Sequence, residues 1–391
     1  MTFANRTSML KPEGAYQVLS RAQELEAQGR DIIHLEIGQP DFNTPTNISF
    51  AGIRAIAEGR TRYNATAGMP ELQKVIAADA GQRRGMKIRP EQVLVSPGAK
   101  PNLFFPSLAL VDHGDEVIYP NPGFPTYEAM INVAGGIPVP VPLLEENDFS
   151  FDLQAFDRLV NERTRLIILN SPSNPTGGVM PLADLEHIAA AAQQHDSWVL
   201  SDEIYTRLIF DEAKAPSIAA LPGMASRTII MDGFSKTYAM TGWRLGYGIM
   251  PEPLARRVQL LFTHALGSTA HFTQIAGIEA LTGTQEAVAD MLAQYRQRRD
   301  TIVDGLNAIP GIRCRKPQGA FYAFPNIKSL DKSAAELANL LLDQAGVALL
   351  PGTAFGAYGE GYLRLSYANS IPNINKALER METVLRALRP H

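Results

Sequence analysis

Cysteine is nearly missing from this chain: of 391 residues only Cys314 carries a thiol. One thiol excludes a disulfide within the chain and any zinc cage built from several cysteines, and it fits a reducing compartment. Long apolar runs are missing too. No 18 consecutive residues are apolar, and the opening MTFANRTSMLKPEGAY has no apolar core of signal-peptide length, so the expectation is a cytoplasmic protein outside the membrane. Neither sign of charge dominates. Lys and Arg total 36 against 40 Asp and Glu, a formal net charge of -4, which leaves no basic excess for nucleic acid or anionic lipid. The histidines, His264 and His271 among them, lack the close i, i+4 pairing with a glutamate that a zinc site uses; they read as structural, with no metal expected. P-loop and dinucleotide fingerprints are absent. What remains as partners are small molecules or another copy of the chain.

What is present is an ordinary globular composition, 45% hydrophobic and 19% charged, in a chain long enough for two domains. From about residue 46 to 280, short apolar runs alternate with helical patterns. The runs are 93–96, 116–119, 137–141, 166–170, 198–201, 228–231 and 245–250; the helical patterns between them are 70–84, 101–111, 153–160 and 181–195. Runs without polar alternation, separated by helices, argue for an α/β fold with a mainly parallel sheet covered on both faces. Function in such sheets gathers at the carboxyl ends of strands. A single long helix is expected at 285–309. The expected division is a large domain over 46–284 and a smaller α/β domain built from 1–45 and 285–391.

Several residues at these strand ends stand out chemically. Within TIIMDGFSKTYAMTGWRLGYG, residues 228–248, Lys236 ends an apolar run beside residues that read as buried, a setting that favours the neutral, nucleophilic amine. Asp202 in SDEIY follows Trp198, Val199 and Leu200. Asn174 lies in the rigid turn NSPSNPTGG, and VSPGAK ahead of a helix at Pro101 offers main-chain N–H groups to an anion. Arg364 is a lone charge in the alternating run YLRLSY. Such a charge is costly unless paired, and with no anionic neighbour in sequence it points to an anionic ligand.

Ser235, Lys236, Gly242, Trp243, Arg244 and Gly246 together resemble the cofactor-lysine signature of the class I pyridoxal-phosphate aminotransferases. The D-E-x-Y of Asp202 to Tyr205 and the N-P-T-G starting at Asn174 resemble the same family, and the motifs run in order from Gly38 to Arg364. The resemblance implies a fold type I pyridoxal-phosphate transferase. It implies that Lys236 holds pyridoxal 5'-phosphate covalently and then serves as general base, that Asp202 pairs with the pyridine nitrogen, and that Tyr205 and Asn174 reach the ring hydroxyl. Gly98, Ala99 and Lys100 would cradle the phosphate, Arg244 would clamp it, and Phe124 would stack on the ring. Arg364, Gly38 and Asn174 would hold the substrate carboxylate. Tyr63 matches the tyrosine that reaches the phosphate of the neighbouring subunit's cofactor, which implies at least a homodimer with shared sites. One position departs from the pattern: many relatives have Ser or Thr where Gly233 stands, which leaves the role of Ser235 at the phosphate open. Lys100 is also open, between the phosphate and a distal substrate carboxylate. The implied activity is ping-pong amino transfer from an L-amino acid to a 2-oxo acid, with aspartate or glutamate one substrate class. A pyridoxal-phosphate lyase on the same scaffold and a non-catalytic binding or regulatory protein are the alternatives.

Overall fold

Each apolar run becomes a strand whose alternate side chains enter different cores. Leu166 and Ile168 pack with Leu103, Met130 and Val258 on one side of the sheet, while Ile167 and Leu169 pack with Phe156, Leu185 and Ile188 on the other. With both faces covered by helices, neither needs polar residues. The computed structural model describes residues 3–10 and 12–387; the ends of the expected small domain, residues 1–2, 11 and 388–391, lie outside them.

The strands in chain order are β1 (Ile33–His34), β2 (Val93–Ser96), β3 (Glu116–Asn121), β4 (Ile137–Leu144), β5 (Ser150–Phe151), β6 (Thr164–Asn170), β7 (Trp198–Asp202), β8 (Thr228–Gly233), β9 (Gly246–Ile249), β10 (Tyr322–Ala323), β11 (Val347–Ala348), β12 (Leu350–Pro351) and β13 (Leu363–Ser366). The main sheet has the order β2-β9-β8-β7-β6-β3-β4-β5. Strands β8, β7, β6, β3 and β4 are parallel, while β9 and β5 run antiparallel to their neighbours. The expected mainly parallel sheet is therefore present. Pro138, Pro140 and Pro142 leave β4 few N–H groups to give, and only the two-residue β5 pairs beyond it.

The register decides where the site forms. Asn170 pairs with Asp202 and Asp202 with Met231, so the carboxyl ends of β6, β7 and β8 finish side by side, with Lys236 three residues past β8. After the long helix Glu286–Ala308, the chain builds a three-stranded antiparallel sheet, β10-β13-β12, and the parallel pair β1-β11. One core joins these to Tyr205, Leu208 and Phe210, so the second sheet packs against the residues that follow β7. Four helices of nine or more residues went unmarked by their own sequence: Thr46–Ala57, Thr126–Ala134, Glu252–Ala265 and His271–Thr282. Their N-caps are Pro45, Pro125, Pro251 and Ala270, which lack the side-chain oxygen that announces a helix start. No helix of the described residues is long and apolar enough to cross a membrane.

Candidate active site

Lys236 Nζ donates to the Gly38 carbonyl at 2.6 Å and lies 5.7 Å from the centroid of the Phe321 ring. Burial first, and then the cations of Arg364, Arg244 and Lys100, push its pKa down to about 8, against the opposite pull of Asp202. The shift towards the neutral amine expected from the sequence has its physical basis in burial and those three cations. Asp202 ends β7, buried, and accepts from Tyr127 Oη at 2.7 Å and from the Ile204 N–H at 3.2 Å. Burial pushes its carboxyl up to about 7, so it is poised to ionise once a cation faces it.

Arg364 on β13 is 2% exposed, its hydrogen bond goes to a backbone carbonyl, and its Nε is unpartnered among the described residues. One guanidinium nitrogen donates to the Glu36 carbonyl, and the plane lies 4.6 Å from the Tyr322 ring centroid and 5.1 Å from that of Phe355. The buried carboxylate of Glu36 is nearby but engages His34 Nδ1 at 2.7 Å. Asn174 is buried with its backbone N–H on Asn170 Oδ1 at 2.8 Å and its own Oδ1 unpartnered. Tyr205 Oη lies 2.7 Å from Tyr322 Oη.

The turn after β2 is shaped by glycine. Gly98 has φ +86°, and a Cβ there would run into the Arg244 guanidinium, so the arginine lies flat along bare backbone. Arg244 donates to the Thr241 carbonyl at 2.9 Å and to the Pro97 carbonyl at 3.5 Å, while Ser96 Oγ ties the turn through the Gly98 carbonyl at 2.6 Å. Ala99 is half-buried beside Gly98. The glycine at 233 has a packing cause: a Cβ there would lie 3.1 Å from Gly246 Cα and 3.3 Å from the Leu245 carbonyl, where β8 and β9 separate. Ser235 is half-buried on the same turn as Lys236. Phe124 packs edge-on against Tyr127 at 5.7 Å, with Lys100 Nζ 5.0 Å from its centroid. Lys100 in turn pairs with Glu13 at 2.5 Å.

Lys236, Gly38, Arg364, Asp202 and Tyr205 are thus drawn together, directly or through one intervening side chain, and Gly98 with Arg244 forms a separate cradle. Tyr63 stays outside, 96% exposed. Tyr127, Tyr322 and Glu13 were not foreseen from the sequence. Their partners lie 75, 117 and 87 residues away, and none belongs to a charge-in-apolar pattern. No group of His, Cys, Asp and Glu among the described residues is disposed to hold a metal ion. The donor set fits a phosphorylated pyridine aldehyde. It has an amine of lowered pKa, a buried carboxyl of raised pKa, unpartnered buried atoms on Asn174 and Arg364, and an arginine laid against a glycine turn.

Comparison with known proteins agrees with this chemistry. The family model for aminotransferase class I and II matches residues 30–381. The aspartate aminotransferase of Pyrococcus horikoshii is 39% identical over 385 residues, covering 98% of this chain and 97% of the relative. Aromatic-amino-acid aminotransferase 2 of Thermococcus litoralis is 38% identical over 389 residues, 99% of each chain. Among solved structures, the aspartate aminotransferase from Thermus thermophilus with maleate superposes with a TM-score of 0.93 at 37% identity, covering 98% of this chain and 100% of that one. The lyase and non-catalytic alternatives are not favoured by these matches. The chain belongs to the class I and II aminotransferases, and it is a pyridoxal-phosphate enzyme of fold type I that moves an amino group from an amino acid to a 2-oxo acid.

Proposed function

We propose that the residues gathered at the ends of β6, β7 and β8 are the catalytic machinery, and that the enzyme takes dicarboxylic amino acids, glutamate or aspartate, as amino donors. The observation that carries this reading is Lys236: an amine held near pKa 8 beside a buried arginine whose Nε is unpartnered among the described residues. When bound, pyridoxal phosphate supplies an electron-accepting ring that lets the substrate α-proton leave. Lys236 holds the cofactor until substrate arrives, and its freed Nζ then takes the α-proton from substrate Cα as general base. Arg364 grips the α-carboxylate as a two-point fork, beside Asn174 and the Gly38 backbone. Asp202 loses its proton when it faces the cationic pyridine nitrogen, and Tyr127 and the Ile204 N–H fix its orientation. Gly98, Ala99, Ser235 and Arg244 hold the phosphate, Phe124 walls the ring, and Tyr205 with Asn174 meets the ring oxygen.

Lys100 is the cation we assign to the distal carboxylate of the donor. It already holds a carboxylate, that of Glu13, so a dicarboxylic substrate would exchange one anion for another beside Phe124. We further propose the domain division 46–284 against 1–45 with 285–391, a homodimer in which Tyr63 serves the neighbouring site, and a cytoplasmic setting. The lone, buried Cys314, its thiol pushed up by burial, is in keeping with that last point.

The test is the visible absorption of the purified holoenzyme after adding L-glutamate, L-aspartate, L-alanine or L-phenylalanine singly, with no oxo acid. Loss of the visible band with glutamate or aspartate at far lower concentration than with the others, reversed by 2-oxoglutarate, is the expected outcome. A preference for phenylalanine or alanine would overturn the dicarboxylic assignment.

A further inference from the structure

Tyr322 belongs to none of the motifs above, yet its hydroxyl lies between the two ends of the site. It is fully buried on β10, whose partner β13 carries Arg364, and its Oη is 2.7 Å from Tyr205 Oη. The Arg364 guanidinium lies 4.6 Å from its ring centroid. Gly38 borders the same atom, since a Cβ built there would collide with Tyr322 Oη; the bare glycine is what leaves room for the hydroxyl.

Two hydroxyls that share one hydrogen bond have a second proton to place. The neighbouring cation decides which. With Arg364 beside it, the Tyr322 proton is repelled toward Tyr205, and the Tyr205 proton is then free to point at whatever lies on its far side. A hydroxyl that accepts one hydrogen bond donates the next more strongly, so the pair is polarised from Arg364 outward. We propose that Tyr322 is a positioning residue that couples a carboxylate held by Arg364 to the hydrogen bond Tyr205 gives the ring oxygen of the cofactor. This inference rests on the roles proposed above for Arg364 and Tyr205.

The coupling has a direction. A bound carboxylate neutralises the Arg364 cation, which relaxes the push on the Tyr322 proton and weakens donation by Tyr205. Negative charge on the ring oxygen is then held less well, so the lysine-bound cofactor keeps its proton to higher pH. The other charged group acting on the two hydroxyls is Asp202 from β7; Lys236 faces Arg364, and Glu36 reaches Arg364 through its backbone while its carboxylate engages His34. Tyr322→Phe leaves all of these in place and keeps the ring under Arg364.

The experiment titrates the visible band of the holoenzyme against pH, with and without maleate as the carboxylate probe, in wild type, Tyr322→Phe and Tyr205→Phe. In wild type, maleate should raise the midpoint. In Tyr322→Phe the midpoint without maleate should lie higher by about half a pH unit, and the maleate shift should shrink to under about half its wild-type size. Tyr205→Phe should raise the midpoint more. If Tyr322→Phe titrates like wild type while Tyr205→Phe moves, the coupling falls and the site reading stands. An unmoved Tyr205→Phe overturns both. A full maleate shift in Tyr322→Phe, or none in wild type, also overturns the coupling. A purely structural Tyr322 would lower thermal stability or turnover and leave both midpoints where they were.

Discussion

At Lys236 the local environment does what sequence alone could only suggest. A lysine at its ordinary pKa is neutral in roughly one molecule in three thousand at pH 7, whereas one at about 8 is neutral in about a tenth. The neutral amine is the form that attacks an aldehyde, so in the role proposed for Lys236 the gain falls on cofactor capture. Loading of the apoprotein with pyridoxal phosphate should therefore accelerate as pH rises, with a midpoint about pH 8, followed as growth of the visible band after rapid mixing. A rate flat between about pH 6.5 and 9 would contradict the assignment of that amine. Arg364 was legible because a lone charge in an apolar run is physically anomalous, and Lys236 because of the family signature that surrounds it. Tyr322 was not, because a tyrosine among Phe321, Ala323 and Phe324 reads as core, and its meaning lies in a hydroxyl partner 117 residues away.

Seven of the eight strands of the main sheet were readable one by one as apolar runs; the exception, the two-residue β5, was too short to show as one. What ties the strands to the helices was not readable. The end of the helix Pro70–Arg84 delivers two guanidiniums beneath β7 and β8: Arg84 Nε meets Glu203 at 2.7 Å and its Nη2 meets Asp232 at 3.1 Å, while Arg83 Nη2 meets Asp232 at 3.0 Å. Glu203 directly follows Asp202, and Asp232 lies in β8, four residues before Lys236. Burial works against the Asp232 carboxylate, but the two arginines hold its pKa below the ordinary range. Nothing in QRRG marks these arginines as buried, because surface helices end in basic residues just as often. Arg84→Met should leave Glu203 without its guanidinium in a nearly dry site, which costs about 3 to 5 kcal/mol. Urea unfolding of the apoprotein measures it, and a loss below about 1 kcal/mol would show that water reaches the network.

For the whole molecule, one stretch of surface and one tyrosine argue together. Phe50, Ile53 and Ile56, spaced three apart on the helix Thr46–Ala57, are 64%, 58% and 51% exposed, and Tyr63 shortly after it is 96% exposed. A stripe of large apolar side chains on one helix face is what a subunit interface covers. The sequence pointed to Tyr63 only through family resemblance, and within its own chain Tyr63 is 96% exposed, as the proposed role in a neighbouring site requires. Sharing of sites can be read out by mixing two defective enzymes. Lys236→Ala lacks the amine but keeps Tyr63, and Tyr63→Ala keeps the amine but lacks the donor proposed for the neighbouring site. In a heterodimer of the two, one site combines the intact Lys236 of one protomer with the intact Tyr63 of the other, while the second site has neither. Random exchange at equal amounts makes half the molecules heterodimers with one native site of two, so activity at limiting pyridoxal phosphate should rise to about a quarter of wild type. If each site were complete within its own chain, mixing would give only the average of the two defective enzymes, and Tyr63 would have no part in the neighbouring site.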